Sequence, residues 1–226
     1  MSKAGGAAAR LMSELQQLQK EKWLNVDLIR DNIFRWDIGL IVLNQDSAFK
    51  NAYLKTEMTF TEEYPYAPPT FRFQIPIYHP NVYPDGRVCI SILHQPGEDL
   101  MSGEAASERW SPLQGVESVL RSVLLLLDDP EINSPAHVDA GVMYRDNRAE
   151  YNKKAAECVE RSKKDIPAGF VMPTSIEEAP PAMKDADDDF WNEDEDMEDF
   201  DFGSGTDEEL QEEDEEEENG SDDEES

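Results

Sequence analysis

Cysteine is almost missing from this sequence: Cys89 and Cys158 are the only two in 226 residues. That rules out a disulfide framework and fits a reducing compartment. Histidine is nearly as scarce, with only His79, His94 and His137, and the three offer no recognisable pairing with a cysteine nucleophile or as a metal set. Long apolar runs are missing too. The longest, Val123 to Leu127, falls far short of the roughly 20 residues that span a bilayer. The amino-terminal MSKAGGAAAR lacks the apolar segment of a secretory leader. Basic charge is absent from one region altogether. Residues 185–226 hold 25 of the 51 acidic residues and none of the 20 basic ones, leaving 26 acids against the 20 bases elsewhere. The net charge of −31 therefore describes a tail rather than a domain. Such a chain repels nucleic acid and anionic membranes, and its natural complement is a basic protein surface. The expected location is cytoplasmic and nuclear.

The first 184 residues are ample for one core. Leu11, Leu15 and Leu18 fall at i, i+4 and i+7 and predict an amphipathic helix over residues 7–23, with Arg10, Glu14, Lys20 and Lys22 on other faces. Four strand-like runs follow, over 24–28, 33–43, 52–60 and 70–75. Their short links predict an antiparallel meander, since parallel crossovers require a dozen or more residues each. Before the fourth run, Tyr64-Pro-Tyr-Ala-Pro-Pro is a stiff loop whose rings either contact a partner or plug the sheet edge. Ser111 and Pro112 predict the cap and first turn of a helix running to Leu127, buried through Val116, Val119, Leu120, Val123, Leu124 and Leu127. Two further helices are expected over 135–146 and 147–164, and Cys158 in the second should pack as a small apolar side chain. Prolines then mark a linker over 169–184, ahead of an acidic tail over 185–226 that cannot fold alone.

The stretch His79 to Ile92, HPNVYPDGRVCISI, sets Cys89 eight residues after Asn81 across a Pro-Asp-Gly turn. The turn puts the thiol at the edge of compact structure, where it is either an inert small side chain or a reactive group. Residues 95–109 read as a mobile acidic loop containing Glu98, Asp99, Glu104 and Glu108. Asp128 and Asp129 close the long helix, an end at which carboxylates cost about 0.3–1 kcal/mol each. They serve either the turn into Pro130 or something beyond stability.

Taken together, HPN with its cysteine, the Tyr64-Pro-Tyr-Ala-Pro-Pro loop and Trp110-Ser-Pro resemble the core of ubiquitin-conjugating enzymes. The insertion after the cysteine and the acidic tail resemble the cell-division-cycle type, which works with cullin-RING ligases. The resemblance implies an α+β fold: a four-stranded antiparallel sheet, an amino-terminal helix and carboxy-terminal helices, forming a catalytic domain over 1–168. It implies that Cys89 accepts ubiquitin as a thioester and that Asn81 supports the active-site loop or the oxyanion. By the same likeness Asp129, Ser91 and Tyr83 orient the acceptor lysine. Many members have an Asp where this chain has Ser134, which leaves the acid to Asp128, Asp129 or the insertion. Tyr66, Ser111, Pro112 and Leu113 resemble the loops that dock a RING domain, and Arg10 a surface shared with the activating enzyme. No cofactor is expected, ATP being consumed by the activating enzyme. The tail would steer the chain toward a basic cullin surface, with Phe190, Trp191, Phe200 and Phe202 as anchors. The rival readings are an acidic chaperone for basic proteins, which leaves HPN unused, and a cysteine hydrolase, which lacks a base.

Overall fold

The computed structural model describes residues 3–97 and 103–173. Glu98, Asp99, most of the expected linker and the whole acidic tail lie outside the described residues. The chain opens with α1 (Lys3–Leu18), which buries Ala7, Leu11, Leu15 and Leu18. This helix stops short of the expected Trp23. After Leu18 the chain tightens into turns, Lys20 N to Gln17 O at 3.1 Å and Glu21 N to Leu18 O at 3.0 Å, and the Trp23 carbonyl accepts from Ile41 N at 3.0 Å as the chain enters the sheet.

Strands β1 (Leu24–Leu28), β2 (Arg35–Ile41), β3 (Tyr53–Thr59) and β4 (Thr70–Phe73) form one antiparallel sheet in sequence order. Its register follows the period of two. Val26 faces Ile38, Ile38 faces Thr56 and Met58 faces Phe71, all of them buried. The alternate positions carry charge and pair across strands: Arg35 and Arg72 reach Glu57 at 2.6 and 2.8 Å, and Lys55 reaches Asp37 at 3.3 Å. The meander expected from the short links is present: β1 has the expected bounds, β2 is two residues and β3 one residue shorter at each end, and β4 stops two residues early.

The core is closed by α2 (Val116–Asp128), which buries Val116, Val119, Leu120, Val123 and Leu127. This helix begins at Val116 rather than at the expected Ser111 and Pro112. The Ser111 carbonyl instead closes a turn with Gln114 N at 3.0 Å. Next come α3 (Val138–Asp146) and α4 (Arg148–Ser162), capped by the side chains of His137 and Asn147. The α3 helix does not start at the expected Pro135, because His137 is extended, with φ −124° and ψ 94°, and its N donates to Pro80 O at 2.8 Å. At the end of α4, Ser162 Oγ accepts from Tyr53 N at 3.2 Å and so ties the helix to the sheet. Cys158 is buried on α4 as expected, with Arg161 Nη2 3.0 Å from its sulfur.

Candidate active site

The eight-residue spacing from Asn81 to Cys89 closes as a hairpin. Val82 bridges Val88, Tyr83 N donates to Arg87 O at 2.9 Å, and Cys89 N donates to Asn81 O at 2.9 Å. Its tip needs a glycine. Gly86 has φ 91°, and a Cβ there would fall 2.2 Å from the Phe73 carbonyl. The Gly86 carbonyl in turn accepts from Phe73 N at 2.8 Å, fastening the hairpin to β4. Cys89 thus sits half-buried on a rigid ledge, followed by a short helical turn over Ser91–Leu93.

Tyr83 is the cysteine's immediate neighbour. Its phenol is held above its ordinary range first by charge on Cys89, then by burial and by the hydrogen bond between the two groups. It therefore stays protonated beside the sulfur. The guanidinium of Arg87 covers the other side of the ring, 5.1 Å from its centroid.

All three histidines are committed to other partners. His79 is fully buried and its Nδ1 accepts from Asn81 N at 3.1 Å. Burial pushes this imidazole down to about 4, and the carbonyls of Leu126 and Leu127 only partly oppose the shift, so the ring is neutral. His137 Nδ1 accepts from Ala140 N at 3.3 Å as the cap of α3. His94 Nδ1 meets Glu104 Oε2 at 2.8 Å. The site therefore offers a thiol flanked by a phenol and a backbone amide, with each imidazole engaged in structure.

Asn81 is buried, and its Nδ2 donates to the Glu131 carbonyl at 2.9 Å. The Asn81 carbonyl holds Cys89, so this one residue clamps the cysteine ledge to the segment after α2. Asp129 and Ser134 flank that clamped carbonyl, and both are exposed. Asp129 N closes α2 onto Leu125 O at 3.0 Å, which leaves its carboxylate in solvent at the helix's negative end. Asp128 plays a different part: its Oδ2 accepts from Asn44 Nδ2 at 2.7 Å and pins the loop after β2.

The second half of the acidic insertion is ordered, contrary to the expectation of a loop mobile throughout. Glu104 accepts from Ser91 Oγ at 3.1 Å and from Arg109 Nε at 3.0 Å, besides its contact with His94. Arg109 Nη1 also reaches Gln95 O at 3.2 Å, closing the neck of the insertion, and residues Ala106–Glu108 form a helical turn. Ser91 is thereby brought to the insertion through Glu104. These contacts place Cys89, Asn81, Tyr83 and Ser91 on one ledge, and Asn81 ties it to Glu131, in the chain segment that also carries Asp129 and Ser134.

A second cluster lies around α1. Tyr66 is 75% and Leu113 94% exposed, Pro112 is exposed and Ser111 half-buried. In the stiff loop the two rings part company. Tyr64 is buried against Phe60 and Trp110, whereas Tyr66 stands in solvent. Trp110 Nε1 donates to Pro65 O at 2.7 Å and ties the two loops together. Sequence reasoning set Glu14 aside as a surface charge, yet its side chain is only 13% exposed and accepts from Arg10 Nε, Tyr64 Oη and Val116 N. The signal was present: Glu14 fills the i+3 slot of the stripe Leu11, Leu15, Leu18, where an apolar residue belongs.

The fold and the ledge define a class: an α+β domain with a four-stranded meander and one half-buried cysteine held on a hairpin, with each histidine bonded elsewhere. A sequence profile of the family described as "Ubiquitin-conjugating enzyme" matches residues 10–159. The chain is 47% identical over 216 residues to "Ubiquitin-conjugating enzyme E2-34 kDa" of Saccharomyces cerevisiae, covering 90% of this chain and 72% of the yeast protein. It is 43% identical over 162 residues to "Ubiquitin-conjugating enzyme E2 G2" of Homo sapiens, covering 70% and 98%. With "Ubiquitin-conjugating enzyme E2 14" of Arabidopsis thaliana it shares 47% over 131 residues, 58% and 78% of the two chains. The chain belongs to the ubiquitin-conjugating enzyme family, and to its cell-division-cycle type. It is a ubiquitin transferase of α+β fold that carries no cofactor, and its partners are ubiquitin, an activating enzyme, a ligase and protein substrates.

Proposed function

We propose that Cys89 is the acyl carrier, and that the chain builds proteasome-directing ubiquitin chains with a cullin-RING ligase in cell-cycle control, in the cytoplasm and nucleus. The observation that carries the first part is the ledge itself: a half-buried thiol fixed by Asn81 O, with every imidazole engaged elsewhere. The Cys89 sulfur attacks the carbonyl of ubiquitin bound as a thioester to the activating enzyme, whose own thiol leaves. A lysine amine then attacks the new thioester and the Cys89 thiolate departs, a good leaving group. A base poised beside the sulfur would activate water as readily as an amine, so its absence suits a carrier better than a hydrolase.

In this reading Asn81 keeps Glu131 in place with one Nδ2 hydrogen and has a second to offer the oxyanion. Removing one such donor costs about 2.7–4 kcal/mol in other acyl-transfer sites. An incoming lysine must be neutral, against an ordinary pKa of about 10.4. Asp129, an exposed carboxylate at the end of α2, is assigned the role of receiving it, together with Tyr83, Ser91 and Ser134. Tyr66, Ser111, Pro112, Leu113 and Arg10 form the face for the RING subunit and the activating enzyme, and residues 185–226 the arm for a basic cullin groove. The test is incubation with ubiquitin, activating enzyme and ATP. A thiol-sensitive ubiquitin adduct is expected, and Cys89→Ala should abolish it; an adduct that survives the substitution would overturn the assignment.

A further inference from the structure

We infer that Glu14 is a positioning residue that holds the two exposed contact loops, one bearing Tyr66 and the other Leu113, in a single fixed relation. The inference rests on the reading of that face as the RING-docking surface. The α2 helix ends in an unusual cap. Its N-cap residue, Gly115, has no side chain, and its amide donates to Ser118 Oγ at 3.0 Å. The free amide at the first helical position, Val116 N, is taken by Glu14 Oε2 at 2.8 Å, from a residue 102 positions earlier. A carboxylate there also meets the positive end of the helix. Gly115 leaves room for this approach, since a Cβ would stand 3.1 Å from Glu14 Oε2 and press the carboxylate back by a few tenths of an ångström.

The same carboxylate accepts from Tyr64 Oη, at 2.8 Å to each oxygen. Burial, followed by the charge of Glu14, pushes this phenol far above its ordinary range, so it remains a donor. Tyr64 stands two residues before Tyr66, and Val116 three after Leu113. Both contact loops are therefore rooted on one carboxylate. Arg10, 42% exposed, completes the cluster: its Nε binds Glu14 Oε1 at 2.6 Å and its Nη2 reaches Gln114 O at 3.3 Å, in the Leu113 loop. A partner acid that engages Arg10 meets a residue already fastened to both loops. A largely buried carboxylate with three donors is expensive to assemble, and its desolvation is offset only while all of them are in place. The two loops are thus presented together or loosened together.

The experiment measures discharge of the charged enzyme to free lysine while titrating a cullin–RING subcomplex. The variants are Glu14→Gln, Tyr64→Phe, Tyr66→Ala, Leu113→Ala and the pairs Glu14→Gln/Tyr66→Ala and Tyr64→Phe/Tyr66→Ala. Glutamine keeps an acceptor for Val116 N but sets an amide against Arg10 and Tyr64. Glu14→Gln should raise the half-saturating concentration of the subcomplex at least fivefold, with the rate at saturation falling less than twofold. The Tyr66→Ala effect should shrink in its background, because the loop is already loose. If Glu14→Gln fails to fold, Tyr64→Phe, which removes one donor and no charge, should show the same split to a lesser degree. A proportional fall in the saturated rate, or strict additivity with Tyr66→Ala, would mean a general loosening and would overturn the inference. If Tyr66→Ala and Leu113→Ala weaken half-saturation while Glu14→Gln and Tyr64→Phe do not, the coupling fails and the docking face stands. If Tyr66→Ala and Leu113→Ala change nothing, the docking reading fails and takes the coupling with it.

Discussion

Asn81 bonds to both sides of the site, with its carbonyl on Cys89 N and its amide on the Glu131 carbonyl. Asn81→Ala leaves that carbonyl unsatisfied and should cost about 1–3 kcal/mol, read by chemical denaturation. His79, beneath it, makes the fold acid-sensitive. Its folded value of about 4 lies below the unfolded 6.5, so the unfolded chain binds more protons between these values and stability falls as pH drops through that window. The shift amounts to roughly 3 kcal/mol lost once pH reaches 4. Glu57, held low by Arg35 and then Arg72, adds its own loss as pH falls from the ordinary carboxylate value of 4.5 toward its lowered folded one. Melting temperature followed from pH 7 to 5 should fall, and His79→Gln should flatten the slope in that window. Cys89 and Asn81 were legible because their spacing and the Pro-Asp-Gly turn are written in residue types. The Glu131 contact was not, since the acceptor is a backbone carbonyl that any residue would supply.

At the scale of elements, α2 carries the core. Leu120 is fully buried among Val116, Val119 and Val123, and Leu120→Ala should cost about 2–5 kcal/mol in denaturant unfolding. Strand β1 was read to the residue and β3 to within one at each end, whereas β2, buried at four successive positions, Ile38–Ile41, lacks the alternation that marks an end and was drawn two residues too long on each side. The start of α2 was misread for a physical reason. Ser111 and Pro112 are strong local start signals, but the cap that operates is Glu14, on another helix. The end of α1 was missed similarly, since Trp23 continues the apolar pattern yet spends its carbonyl on the sheet. Composition hid the order in the insertion, because Glu104 owes its place to His94, Ser91 and Arg109 rather than to any periodicity.

Across the whole molecule, charge is segregated: residues 185–226 carry 25 acids and no base. Like-signed charge at that density speeds encounter with a basic groove by about 10- to 1000-fold, and salt screens it over about 8–10 Å. Truncation after residue 184 should slow cullin-RING-dependent chain growth most at low ionic strength, with the difference shrinking as salt rises. Initial rates across a salt series check this, and a salt-independent defect would remove the steering role. The sequence disclosed this asymmetry fully, because it depends on counting charges and on no fold at all.

The most direct measurement of the central claim is single-turnover discharge of the ubiquitin adduct, isolated free of activating enzyme and followed by intact mass. A thioester on Cys89 should persist in buffer and transfer to free lysine, with transfer rising as the amine loses its proton at higher pH. Release to water as fast as transfer to lysine, or an adduct mass that maps to Cys158, would contradict it.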